Sequence, residues 1–253
     1  MPEPTHDTLI DRQFAPQAHA YLTSAVHAQG PDLELLRSLI GSGRFARALD
    51  VGCGGGHVTF TLAPLVGEVI AYDLADTMLA QVQAQAATRG LHNVTIQQGM
   101  AQRLPFADAH VDLLVTRYSA HHWQDLATCL HEARRVLRPG GCAILMDTIA
   151  PQPALLDSWL QCLELIRDPS HVRDYSLSEW TTALTGAGFQ PQEPTTFRIR
   201  LDFRAWVARM NTPPPQVQTI TALLRQAPAE VARHFAIDPT GDFTIDTMLL
   251  VAR

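Results

Sequence analysis

Three groups of residues in this chain have the types and spacing to do chemistry. The first is Asp50-Val51-Gly52-Cys53-Gly54-Gly55-Gly56. Glycines at alternate positions let the backbone approach a ligand closely and visit positive φ. The acid two residues ahead of them suits a ligand with a positive amine. The second is Asp73, placed where a second carboxylate could accept hydrogen bonds from ribose hydroxyls or cap the helix that follows. The third is Tyr118-Ser119-Ala120-His121-His122-Trp123. Two adjacent histidines can take a proton near neutral pH, and His121 is the better candidate because Trp123 stands to bury its neighbour. Adjacent histidines seldom ligate one ion together, and no H-x-x-x-H pair or carboxylate cluster accompanies them, so no metal is expected.

The rest of the composition removes other chemistries. The 253 residues contain 19 basic side chains, all arginine, against 25 acidic ones, a net charge of −6. Without lysine there is no P-loop lysine, Schiff base or lysine general base. The acidic balance argues against nucleic acid as a partner. Cys53, Cys129, Cys142 and Cys162 form no C-x-x-C pair, so neither a zinc ribbon nor a thioredoxin-type site is indicated. Met1 to Asp11 lacks the apolar run of a signal peptide, and no apolar stretch reaches membrane-spanning length. The expectation is a cytoplasmic protein with no integral membrane association, monomeric or homodimeric.

These groups need elements to hold them. Residues 1–12 read as a loose arm, and 16–29 and 31–40 as helices with apolar positions at helical spacing. The chain then alternates. Strands are expected at 47–51, 68–73, 94–97, 111–116 and 142–147, with helices at 57–65, 75–89 and 126–137. Continuous apolar strands separated by helices indicate a parallel sheet covered on both faces, and right-handed crossovers favour a doubly wound α/β fold. After Ile149 the rhythm changes. Helices are expected at 151–167 and 178–187, a strand from 188 to about 201, helices at 205–210 and 216–225, and a last strand at 243–251.

The glycine loop falls where the first strand turns into the first helix, and two readings of it compete. A dinucleotide fingerprint needs G-x-G-x-x-G. Its third glycine would fall at His57 or Thr59. The register that fits is acid-x-Gly-x-Gly-x-Gly: Asp50, Gly52, Gly54, Gly56.

With Asp73 added, the sequence resembles the class I S-adenosylmethionine (SAM)-dependent methyltransferases, in particular the small-molecule branch typified by the ubiquinone/menaquinone-biosynthesis C-methyltransferases. The matches are Leu49–Gly56, Tyr72-Asp73-Leu74 with Met78-Leu79, Leu104-Pro105-Phe106 before Val111-Asp112-Leu113, and Arg135-Val136-Leu137-Arg138-Pro139-Gly140-Gly141. They keep the family's order over residues 46–147. The resemblance implies a seven-stranded, mostly parallel Rossmann-like sheet with the last strand antiparallel, and a helical lid. It divides a single domain into an N-terminal helical cap (1–43), a SAM-binding core (44–147), a lid (148–188) and a C-terminal part completing the sheet (189–253).

The resemblance also implies roles. Asp50, Gly52, Cys53 and Gly54 would underlie the methionine part of SAM, Asp73 would hold the ribose, and Leu74 and Met78 would flank the adenine. Where many relatives have Gly-Asp-Ala, this chain has Gly99-Met100-Ala101. Met100 can pack on the purine but cannot accept its amino hydrogen bond strongly, which leaves backbone near Ala101 and Gln102 to recognise it. Tyr21, Ser24 and His27 would close the pocket, with Arg117 also on the cofactor side. Tyr118, Trp123, His171, Arg173 and Tyr175 would meet a small, partly apolar acceptor, the last three from a segment that resembles the family's lid. The expected activity is methyl transfer from SAM to carbon or oxygen. A nicotinamide-dependent oxidoreductase and a noncatalytic SAM-binding protein are the alternatives.

Overall fold

The computed structural model describes residues 5–14, 30–41 and 45–253. Seven strands form one sheet: β1 (Arg47–Val51), β2 (Glu68–Asp73), β3 (Val94–Gln98), β4 (Val111–Arg117), β5 (Leu137–Thr148), β6 (Thr195–Leu201) and β7 (Phe243–Ala252). Their order is β3-β2-β1-β4-β5-β7-β6. β7 alone runs against the rest, pairing antiparallel with both β5 and β6. The chain steps outward from β1 to β3, then crosses back to β4. The gap between the carboxyl ends of β1 and β4 is therefore the switch point where open α/β sheets bind ligands. Asp50 sits there, in register with Ala71 of β2 and Val115 of β4.

Alternate residues of the strands feed two cores. Leu49, Tyr72 and Leu114 pack with α5 (Leu126–Val136) and α7 (Leu177–Gly186) on one face. Ala48, Val69 and Leu113 pack with α2 (Pro31–Ile40) and α3 (His57–Leu62) on the other. α4 (Asp76–Thr88) lies along β2 and β3. A third cluster joins α6 (Ala154–Arg167), α8 (Phe203–Arg209), α9 (Pro214–Arg225) and α10 (Ala229–His234) to β6 and β7, through Leu160, Leu163, Trp206, Ile220, Val231 and Phe243.

Three expectations need correction. His6–Phe14 is a helix, α1, and not a loose arm; its apolar side rests on Ile10 and Phe14, one turn apart and easily lost in a polar run. β6 starts at Thr195, not 188. Pro191 and Pro194 remove ladder donors, so the preceding stretch makes only scattered bonds, such as Gln190 N to Arg253 O at 2.7 Å and Gln192 N to Val251 O at 2.8 Å. The short helix α10 was not anticipated. The expected helix at 16–29 lies outside the described residues.

Candidate active site

The glycine loop is held by main-chain bonds. Gly52 N and Cys53 N both donate to Tyr72 O, at 2.8 and 3.0 Å. Asp73 then takes the loop's next amide, Gly54 N to Oδ2 at 2.8 Å, and its own Ala75 N to Oδ1 at 3.0 Å. The glycines answer different needs. Gly52 has φ 72°, and a Cβ there would collide with Ser119 Oγ, so the loops after β1 and β4 interlock. Gly54 has φ 47°, and a Cβ there would meet no atom of the described residues within 4 Å. Its free face borders a cavity that Asp50, Cys53, Asp73, Leu74, Met78, Met100, Ala101 and Gln102 also line. Tyr72 O–H donates to Met100 O at 3.0 Å and fixes the 99–102 turn.

Asp50 is wholly buried. Its Oδ2 accepts from Thr59 Oγ1 at 2.6 Å, while Oδ1 has no partner. Burial pushes its carboxyl up to about 7, against the pull of the Thr59 hydrogen bonds. A buried acceptor left open at the edge of a cavity is a place for a ligand's donor. Tyr21, Ser24 and His27 lie outside the described residues; among the described residues, α1 borders the cavity through Asp7, Ile10 and Phe14.

Beyond β4 the character changes from backbone to charged side chains. Arg117 is on the cavity wall, but its guanidinium grips Asp32 of α2 in a buried two-pronged pair, Nε to Oδ2 at 2.6 Å and Nη2 to Oδ1 at 3.1 Å. Its face lies over Tyr118, 4.7 Å from the ring centre. Tyr118 has φ 51°, a conformation costly for a bulky residue and often found at functional sites. Tyr118, His121, His122 and Trp123 all border the cavity.

His121 is paired with Asp147 at the end of β5, Nδ1 to Oδ1 at 2.6 Å. Ala120 N and Thr148 N, at 3.0 and 2.9 Å, hold that carboxylate still. His122 instead places Nδ1 3.0 Å from Ser170 O and packs edge-on against Phe14. Burial works against the charged form of both rings. For His121 it is outweighed by Asp147, with Asp174 and Glu164 adding to it, and the value rises to about 9. For His122 burial is reinforced by the charge on His121, and the value drops to about 4. The two neighbours are thus pushed in opposite directions, His121 toward the cation by Asp147 and His122 toward the neutral ring by burial.

The segment after β5 supplies the far wall. Glu164 and Arg167 of α6, then Asp168 and Asp174, border the cavity together with Ile199, Leu201, Trp206, Met210 and Ile245. Arg167 is paired with Glu164 at 3.2 Å and lies over the Trp206 ring. The expected lid residues behave otherwise. His171, Arg173 and Tyr175 are not on the cavity wall. His171 is buried behind it, with Nε2 2.9 Å from Gln161 Oε1. Arg173 is occupied by Asp157 and Glu179, at 3.1 and 3.0 Å. Tyr175 packs edge-on against Trp180, and its backbone bridges to Ile149. Sequence reasoning missed Asp147, although it ends a strand beside β4 just as Asp73 ends one beside β1. It also missed Glu164, Arg167, Asp168 and Asp174, whose approach depends on how the inserted helix folds back.

A doubly wound sheet of this order, with a glycine loop clasped by an acid from the next strand, defines the Rossmann-like class of ligand-binding enzymes. Comparison with known proteins narrows it. Residues 49–145 match the methyltransferase-domain family. The chain is 42% identical to YafE, an uncharacterized protein of Escherichia coli, over 79% of its own length and 97% of the relative's. It is 34% identical to YcgJ, an uncharacterized methyltransferase of Bacillus subtilis, over 88% of each chain. The crystal structure of YcgJ superposes with a TM-score of 0.84 at 31% identity, covering 87% of this chain and 97% of that one. The demethylmenaquinone methyltransferase of Geobacillus stearothermophilus is 36% identical over 42% of this chain and 46% of its own. The chain belongs to the methyltransferase family: it is a class I SAM-dependent methyltransferase. Among the described residues no helix is long and apolar enough to cross a membrane.

Proposed function

We propose that the enzyme moves a methyl group from SAM to carbon or oxygen of a small, partly apolar acceptor, with the donor on the Gly54–Asp73 side of the cavity and the acceptor on the His121–Asp147 side. The observation that carries this reading is that one cavity is bordered by both. The residues present suit the donor. Among the described residues, Asp50 Oδ1 is a buried acceptor without a partner, and a Cβ at Gly54 would meet no atom within 4 Å. SAM supplies a methyl group on a sulfonium, so the protein has mainly to align the partners and exclude water.

In this reading Asp50 takes the amino group, Cys53 and Gly54 lie under the methionine chain, and Asp73 takes the ribose hydroxyls. Leu74, Met78 and Met100 hold the purine, with Ala101 and Gln102 beside it. Arg117, tied to Asp32, acts as a fixed part of the wall. Tyr118, Trp123 and the aliphatic residues of β6 and β7 receive the acceptor's apolar body, and the 148–188 segment closes over it as a lid. His121 is the proton acceptor. Its Nδ1–H is donated to Asp147, which leaves Nε2 to take the acceptor's proton whenever His121 is neutral. His122, kept uncharged, orients the acceptor.

Two measurements test this. Calorimetry should show binding of S-adenosylhomocysteine, the demethylated product. Incubation with methyl-labelled SAM and a small-molecule extract should put label into low-mass products read by mass spectrometry. Absence of product binding would refute the cofactor side; label appearing only in macromolecules would refute the acceptor side.

A further inference from the structure

Asp174 stands out on the acceptor side. It is buried, borders the cavity, and its Oδ2 has no hydrogen-bond partner. The neighbouring carboxylates are occupied: Glu164 by Arg167, Asp168 by the Ser170 amide and hydroxyl, Asp147 by His121 and two amides. The backbone of Asp174 is clamped on both sides by one residue. Gln161 Oε1 accepts its N–H at 3.0 Å and Gln161 Nε2 donates to its carbonyl at 2.8 Å. The side chain is therefore placed firmly and given nothing to bind. A buried acceptor in that condition is costly unless a ligand completes it.

The position of Asp174 says what kind of ligand. A ring nitrogen of His121 and one carboxylate oxygen each of Asp147 and Asp174 lie within 4.8 Å of one another. We propose that Asp174 determines acceptor specificity by taking a hydrogen bond from a second donor next to the position that faces His121, so that the enzyme selects acceptors with hydroxyl groups on neighbouring carbons. The His121 ring and the Asp174 carboxylate are thus neighbours, and hydroxyls on adjacent carbons, as in a 1,2-diol or 1,2-dihydroxyarene, would reach both. Hydroxyls on opposite sides of a ring would not. The aliphatic and indole surfaces of Ile199, Leu201 and Trp206 would pack on the carbon skeleton carrying them. This inference rests on the reading of the His121 side as the acceptor's.

The test uses two isomers of equal size, catechol (1,2-dihydroxybenzene) and hydroquinone (1,4-dihydroxybenzene), titrated by calorimetry into enzyme saturated with S-adenosylhomocysteine. Catechol should bind tighter by about tenfold or more, the discrimination expected when a site built for a hydroxyl is left unpaired. Asp174→Leu should erase the preference while product affinity stays unchanged. If that variant does not fold, Asp174→Asn should reduce the preference. Equal affinity of the isomers, binding of neither at millimolar concentration, or a preference that survives Asp174→Leu would overturn the proposal. So would uptake of Mn²⁺ by chelator-treated enzyme that Asp174→Leu abolishes, because the cluster would then be a cation site. Failure of S-adenosylhomocysteine to bind would instead bring down the cofactor reading, and the isomer comparison would be made on the free enzyme by the same criteria.

Discussion

The two sides of the cavity are built on different principles. On the side proposed for the cofactor the polar contacts are backbone amides, glycine faces and two acids, all drawn from residues 50–102. On the side proposed for the acceptor they are charged side chains paired with one another: His121 with Asp147, Arg167 with Glu164. Main chain is indifferent to side-chain substitution and suits a ligand shared across a family. Buried charge pairs cost much to bury and more to break, so they fit a surface specialised for one acceptor.

That contrast can be broken or sharpened by substitution. The largest effect is expected from Asp147→Ala, which frees the His121 ring and removes its counter-charge. Turnover should fall by about 10²–10⁴-fold, the usual weight of a positioned base, with S-adenosylhomocysteine affinity unchanged by calorimetry. A matching loss of product affinity would mean that the two sides are not separable. Next comes Gly54→Val. Its side chain would project into the cavity, and product affinity should drop by about 100-fold, roughly 2.7 kcal/mol. Asp73→Ala removes a charged acceptor and should cost about 1.5–3 kcal/mol of the same affinity.

Acidity gives a subtler contrast. The folded-state value of His121 is raised, from 6.5 to about 9, so the protonated ring stabilises the fold. That contribution is fully present below pH 6.5 and is lost as pH rises through about 9. The gap in denaturation midpoint between wild type and His121→Gln should close over that interval. Methyl transfer should rise over the same range as His121 becomes neutral, and Asp147→Asn should move the rise to lower pH. The smallest effect is expected at Arg173→Ala. Its ion pairs are about one-third exposed and worth about 1 kcal/mol or less, and it does not border the cavity. A marked loss of turnover there would restore it to the acceptor side.

The same contrast explains what the sequence disclosed. Strands β1 to β5 and the glycine loop follow from local pattern, because apolar runs and alternate glycines report their own conformation. Asp50, Gly54 and Asp73 could be placed from that pattern, Leu74, Met78 and Met100 from the family resemblance, and all border the cavity. The acceptor side depends on long-range return. Asp174 comes near His121 only because Gln161 on α6 reaches forward to clamp it, and nothing in the spacing of 121, 147, 161 and 174 announces that. Arg173 misled for the opposite reason: an arginine amid polar neighbours reads as available, and Asp157 and Glu179, 16 and 6 residues away, had already taken it.

The place of β7 in the sheet sets an order of assembly. Each strand from β2 to β5 can pair, as soon as it is made, with a strand already present. β6 cannot. Its one neighbour is β7, which is synthesised later and slots between β5 and β6. Ile199, Leu201 and Ile245 therefore take their positions last, after the longest loop closures in the chain. A nascent chain leaving the ribosome completes the glycine-loop side of the cavity before β6 and β7 can close the other wall.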